Sequence, residues 1–414
     1  MILSFCFFLL LYFVNKKNAM GNISFLIAMS FLIAILIGEK INYNNPKTLF
    51  NLIYVDIIMV FLIIGFKKYY PSHLNLNRDR NFLYSSFKYF MIFGIIGLCV
   101  NSFTILYSWK NFISLGISIE QYKNGGIGYD LVASSFWGFL SPLTLISSAF
   151  SYISLGYHFY FLLSEDLKKA KWALIVSCNI FLPSLVYMAR GGIVVFILLY
   201  LITWLYIYKM LNSVVVKKVK SFFSKITIPV VIAFLIISFG RFNNDRLQIP
   251  QSSVIKNPVI YAFGSYFSQW IDNGITVLNR YTNGLNLHGS SFMYFINKIY
   301  ETIGHKVIPI EILREYAFGN LATYFNGLPA ILVYDFGYIG AIIFSLLFTF
   351  FVCKIAPKKG SVEGIDIIGF PVLITMPIMF FQGNQFVDST YFSSFCLFII
   401  FYYLNKIRKE SFWN

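Results

Sequence analysis

The residues best suited to chemistry stand mostly between positions 241 and 335, where hydrophobicity falls away and then returns. Arg241 and Arg246 open the stretch, in Arg241-Phe242-Asn243-Asn244-Asp245-Arg246, directly after an apolar run. Guanidinium forks match phosphate oxygens bidentately, so this pair could grip a lipid phosphate; an interfacial anchor is the plainer alternative. Asp272, Thr276 and Arg280 follow at four-residue steps, which puts a carboxylate, a hydroxyl and a guanidinium on one stripe of a helix. Such a stripe could deprotonate a hydroxyl and bind an anion, although a solvated face has the same pattern. His305, Glu311, Arg314 and Glu315 come next. His305 is a candidate general base because imidazole titrates near neutrality; a hydrogen-bonded surface histidine is the alternative. Asp335, in Tyr334-Asp335-Phe336-Gly337-Tyr338, lies in the first turns of an apolar run. A carboxylate there is costly unless it is paired or faces a wet cavity. Far upstream, Arg190 in Met188-Ala189-Arg190-Gly191-Gly192 is a lone guanidinium between two apolar runs, beside glycines that let another chain come close. Snorkelling to the interface is its plain reading.

The elements that must position these groups are membrane helices. The chain of 414 residues is 58% hydrophobic and 20% aromatic with 12% charged residues, against about 25% charged in a soluble domain. A spanning helix needs roughly 20 mostly apolar residues, and about eleven stretches (ten to twelve) qualify: 1–14, 21–37, 49–66, 89–107, 131–163, 172–189, 191–208, 226–240, 330–351, 365–381 and 391–404. The first has neither a basic n-region nor a small-residue cleavage site, so it reads as a helix rather than a signal. The run 131–163 is too long for one straight span, and Ser141-Pro142 marks a kink. The expected fold is thus an all-α polytopic membrane protein: a bundle of about eight helices over 1–240, one large outer loop over 241–329, and C-terminal helices over 330–414. Within the loop, 259–280 has helical periodicity, with Val259, Ile260, Phe263, Phe267, Ile271, Ile275 and Leu278 on one side. A second amphipathic stretch, 292–303, follows His288-Gly289. The remaining connections, 67–88, 108–130 and 164–171, read as plain loops.

The net charge of +16 suggests nucleic acid until its distribution is considered. Segments 15–20, 67–88, 164–171, 209–225, 354–364 and 405–414 hold 21 of the 33 Lys and Arg residues. Basic residues concentrate in cytoplasmic loops of membrane proteins, so the asymmetry places the C-terminus inside and the N-terminus and 241–329 outside. The charge is a topology signal, and no nucleic-acid motif accompanies it. All five cysteines fall within or at the ends of apolar runs, so no disulfide framework is implied. No Cys/His cluster has metal-ligand spacing, and neither a P-loop nor a Gly-x-Ser-x-Gly elbow occurs. The apolar runs hold few charges apart from Asp56 and His158, which argues against a transport pathway.

Tyr266-Phe267-Ser268, Leu278-Asn279-Arg280-Tyr281, Gly289, Phe295-Ile296, Asn320-Leu321-Ala322-Thr323-Tyr324 and Tyr334-Asp335-Phe336-Gly337-Tyr338-Ile339-Gly340 together resemble Wzy-type oligosaccharide repeat-unit (O-antigen) polymerases. The Ala189-Arg190-Gly191-Gly192 hairpin looks like the Arg-Gly hairpin of the same proteins. The match runs over about 189–351; a spaced Arg-x10-Gly signature of some members is absent. The resemblance implies a GT-C-like architecture in the bacterial inner membrane, working at its periplasmic face. It implies joining of repeat units carried on undecaprenyl pyrophosphate, which serves as both donor and acceptor. Arg190, Arg241, Arg246, Arg280 and Arg314 would bind pyrophosphate or glycan; Asp272, His305 or Asp335 would orient or deprotonate the attacking hydroxyl. No metal and no cofactor is expected if arginines carry the charge, and a chain-length regulator is an expected partner besides membrane lipid. An O-antigen ligase, to which an outer-loop His305 would matter, and a lipid-linked oligosaccharide flippase are the alternatives.

Overall fold

The computed structural model describes residues 1–38, 41, 44–71, 73–117, 121–122, 127–189, 191–219, 232, 249–282, 289–290, 297, 300, 304, 310–321, 325–358, 361–383 and 385–411. Among them, five helices are long and apolar enough to cross a membrane: Ala19–Ile37, Pro46–Lys68, Arg80–Leu115, Gly191–Met210 and Leu328–Ile355. Ile2–Asn15 and Gly364–Ile378 are shorter apolar helices. The chain is therefore a predominantly helical membrane protein, with fewer full-length spans described than the hydropathy suggests. Prolines account for part of the difference. The run 131–163 is divided into Ile127–Ala133, Phe136–Phe139, Ser141–Ala149 and Ser151–Leu163, with Pro142 in a first turn. The run 172–189 is likewise interrupted, into Leu167–Ser177 and Leu182–Val186, with Pro183 in the first turn of the second piece. Proline removes a backbone donor and clashes with the preceding turn, so it starts helices more readily than it continues them. Of 226–240 only residue 232 is described, and of 292–303 only residues 297 and 300.

Two compact units make up the chain. The first comprises Met1–Tyr70, Asp245–Ala356 and Thr375–Ser389. Its Ile2–Asn15 and Ala19–Ile37 helices are joined by a tight connection in which the Asn18 side chain accepts from the Gly21 N–H. The Pro258–Arg280 helix, from the expected outer loop, begins with Asn257 accepting from the Val259 and Ile260 amides and with Pro258 in its first turn. That helix is embedded, not laid out as a solvated stripe. Its buried face is Ala262, Gly264, Ser268, Trp270, Ile271, Gly274, Ile275, Val277 and Leu278. Only the C-terminal part of the apolar side expected from periodicity is buried; Ile260 is exposed. The small residues set the depth of docking, since a side chain at Gly274 would stand 2.6 Å from the Asn326 carbonyl oxygen. Trp270 is buried against Gly327 and donates from Nε1 to the Ser30 hydroxyl at 2.7 Å. Ser30 in turn donates to the Phe267 carbonyl at 2.7 Å.

The second unit comprises Pro71–Asn244, Pro357–Ile374 and Thr390–Asn414. Ser151–Leu163 is buried on every side from Ser151 to Leu162, including the polar Ser151, Ser154 and His158. His158 within it is held by the Ala170 carbonyl at 2.9 Å and the Tyr200 hydroxyl at 3.3 Å, a satisfied core histidine. Three connections differ from plain loops. Segment 108–130 is helical through Leu115, as the end of Arg80–Leu115, and 164–171 is a turn only as far as Leu167, where a helix begins. Segments 67–88 and 354–364 meet as a parallel pair of three-residue strands, β1 (His73–Asn75) and β2 (Ser361–Glu363), so the fold is not wholly α. Charge had assigned both segments to one face, and their pairing agrees with that.

Candidate functional site

The first unit gathers most of the predicted residues that the structure describes. Asp272 sits half-buried on the Pro258–Arg280 helix. Among the described residues its carboxylate has no hydrogen-bond or ion-pair partner, and burial raises its pKa above the ordinary carboxylate value. Desolvation favours the neutral acid when no cation offsets it. Thr276 is half-buried one turn on, and Arg280 is exposed in the last turn, where a cation complements the helix dipole. Eight residues of α-helix separate Asp272 from Arg280, about 12 Å of axial rise. The two therefore cannot grip one atom, but they can address opposite ends of an extended ligand.

Asp335 is buried, and its backbone carbonyl accepts from the Gly289 N–H at 2.9 Å. It lies on Leu328–Ile355 just before a kink at Gly337, whose φ of 74° and ψ of 172° leave helical geometry. That positive φ favours glycine, because a Cβ clashes with the backbone there. Residues on both sides of the kink meet the end of the Pro258–Arg280 helix. Tyr281 makes edge contacts with Tyr334 at 5.0 Å and Tyr338 at 5.5 Å between ring centroids. The Tyr334 hydroxyl donates to the Val277 carbonyl at 3.1 Å. Arg314 is on Ile310–Phe318, whose last residue packs its ring on Tyr334 at 4.8 Å. Arg190, Arg241, Arg246 and His305 lie outside the described residues.

A chain of neutral hydrogen bonds completes the cluster. Asn279 donates to the Thr48 hydroxyl at 3.0 Å and accepts from the Asn51 carboxamide at 2.9 Å. Asn51 accepts in turn from the Tyr338 hydroxyl at 2.7 Å. The Tyr54 hydroxyl donates to the Tyr338 carbonyl. Sequence reasoning missed Thr48, Asn51 and Tyr54. The available signal was a carboxamide inside an apolar run, Asn51 in 49–66, since a polar group at that depth needs a partner. Among the described residues the arrangement presents one exposed cation and one unpaired carboxylate, over a largely buried set of tyrosines and amides. It suits an anionic ligand bearing hydroxyl groups. Among the described residues no group of three or more His, Cys, Asp or Glu side chains is placed to hold a metal ion.

No family model, no curated protein and no solved structure matches the chain.

Proposed function

We propose that the protein is a metal-independent glycosyltransferase of the Wzy type, polymerising oligosaccharide repeat units on undecaprenyl pyrophosphate at the periplasmic face of the inner membrane. One observation carries the reading. Two of the several segments on which the resemblance rests, Leu278–Tyr281 and Tyr334–Gly340, lie against each other through the Tyr281 contacts with Tyr334 and Tyr338. The substrate is a lipid, a pyrophosphate and a glycan stacked outward from the bilayer. Arg280 is placed to neutralise the leaving pyrophosphate, an electrostatic stabilisation of developing charge that is usually the largest catalytic contribution. Asp272, unpaired and held above the ordinary carboxylate range, is the candidate base for the attacking hydroxyl. Tyr338, half-buried and with its hydroxyl already donating to Asn51, is the ring of this cluster left for a sugar to meet, while Tyr281 is buried beneath it.

The test is deletion of the gene in its native strain, with surface polysaccharide resolved on a gel and complementation by wild type and by Arg280→Ala. The reading expects a single repeat unit on lipid A–core, with the ladder restored by wild type and not by the variant. Losing one such electrostatic contact costs roughly 100- to 1,000-fold in turnover. An unchanged ladder in a strain without a second polymerase would overturn the proposal. Complete loss of attached repeats would point to the ligase or flippase reading instead; the membrane face on which lipid-linked units accumulate separates those two.

A further inference from the structure

The second unit contains a cavity of about 310 Å³ that nothing in the polymerase reading uses. Its walls carry three cations, Arg78, Arg408 and Lys409, and three carboxamides, Asn77, Asn81 and Asn405, beside the ring of Phe82. Small-molecule sites range from roughly 300 to 1,000 Å³, so the space suits a head group and not a whole lipid. The cations are held from behind. Glu363 accepts from Arg78 at 2.6 Å and also pairs with Lys409, while the fully buried Asp79 carboxylate pairs with Lys409 as well. Neither carboxylate is among the residues lining the cavity. Both are themselves fixed. The Glu363 amide donates to Asp366 at 2.9 Å, the Ile365 amide to Asp79 at 3.4 Å, and the β1–β2 pairing clamps the segment bearing Glu363. Arg408 lies over the Phe82 ring at 5.7 Å, which holds its guanidinium plane.

Asn405 is the second, independent sign of a ligand. It is 3% exposed, it borders the cavity, and among the described residues its carboxamide has no hydrogen-bond partner. A carboxamide has both donors and an acceptor to satisfy, and one that borders a cation-lined space is served by an acceptor placed there. An acceptor with several oxygens and a negative charge meets every donor at once, and a phosphate group has that chemistry.

We propose that this cavity binds a phosphate-bearing group, with the head-group phosphate of an anionic phospholipid as the source its surroundings favour. The lining residues Asn405, Arg408 and Lys409 belong to the charged end of the Ser389–Ser411 helix, which also carries an apolar flank, Leu404 and Ile407, 53% and 61% exposed. A soluble anion has no use for that flank; a lipid tail does.

The experiment uses the full chain in neutral detergent, titrated separately with phosphatidylglycerol, phosphatidylcholine and inorganic phosphate. Native mass spectrometry reads retained lipid, and the thermal midpoint reads stabilisation. Asn81→Asp places a negative charge at the exposed rim, and Arg408→Gln removes one cation; Asn77→Asp is the substitute should either fail to fold. The proposal expects phosphatidylglycerol to be retained about tenfold over phosphatidylcholine by wild type, and five- to tenfold less by each variant, with lipid-free midpoints unchanged. Stabilisation of wild type by inorganic phosphate, lost in the variants and without lipid preference, would keep the site and make its source soluble. Equal retention and equal midpoints across wild type and variants, with all three ligands, would overturn it.

Discussion

The cluster around Asn279 joins its elements with neutral donors and acceptors, whereas the cluster around Glu363 joins them with charges. Thr48, Asn51, Asn279 and Tyr338 form a relay in which each member satisfies the next. Arg78, Asp79, Glu363 and Lys409 form a network in which Lys409 serves two carboxylates at once. A neutral relay can lose one member at the cost of an unsatisfied neighbour. A buried ionic network cannot lose its central charge so cheaply, because the partners left behind stay desolvated. The first arrangement adds no fixed charge to its surroundings; the second fixes charge in place.

The largest effect should therefore come from Lys409→Met. Asp79 has no exposed side-chain surface and would be left without its cation. Stranding a buried charge costs about 3–5 kcal/mol, which should appear as a steep fall in the thermal midpoint of the solubilised protein and in its yield from membranes. A fall no larger than that of a surface substitution would mean that Asp79 is hydrated. Asn51→Ala should cost less, about 1–3 kcal/mol, by leaving Asn279 and Tyr338 with open hydrogen-bonding groups. A double-mutant cycle with Asn279→Ala should then show coupling, because the two share one hydrogen bond; additive losses would show that the relay is not a unit. Arg78→Gln sits lower still. Its side chain is 48% exposed, and exposed ion pairs contribute roughly 0–1 kcal/mol, so its midpoint should barely move while that of Lys409→Met collapses.

The neutral cluster was partly legible in the sequence and the charged one hardly at all. Apolar length foretold the helix observed as Leu328–Ile355, and helical periodicity foretold Pro258–Arg280. Asp272, Thr276 and Arg280 do share that helix. What the pattern misjudged was its surroundings: Ala262, Gly264, Ser268 and Gly274 let it dock deeply, and small residues carry no hydrophobic signal. The relay crosses from Asn279 to Asn51, 228 positions apart in sequence, which no local period can show. The charged cluster joins Arg78, Glu363 and Lys409 from three segments that the sequence marked only as basic connections. Two three-residue strands, too short for an alternating pattern, bring two of those segments together. Pro142 announced the break at Leu140, but the further breaks before Phe136 and at Phe150 had no proline to mark them.

Asp79 and Asp272 give the comparison its sharpest form, since one carboxylate is buried with a cation and the other is half-buried without one. Burial holds the Asp272 pKa above its ordinary value in the folded chain. The folded state therefore binds that proton more tightly than the unfolded chain does. The stabilisation is complete below the unfolded pKa and is lost as pH rises through the folded one. At neutral pH the ionised carboxylate is then a net cost to folding, and Asp272→Asn should raise the thermal midpoint slightly there and leave it unchanged in acid. Activity should move the other way. A base must be ionised, so the acid limb of polymerisation by membranes assayed with lipid-linked repeat units should lie above the usual carboxylate range, and the variant should lose both the limb and most of the rate. A more stable and inactive variant is the signature of a group kept at some expense for function. An unaltered rate in Asp272→Asn would transfer the base to His305 or Asp335 and leave Asp272 a tolerated burial; a lower midpoint at neutral pH would mean that its charge is paired after all.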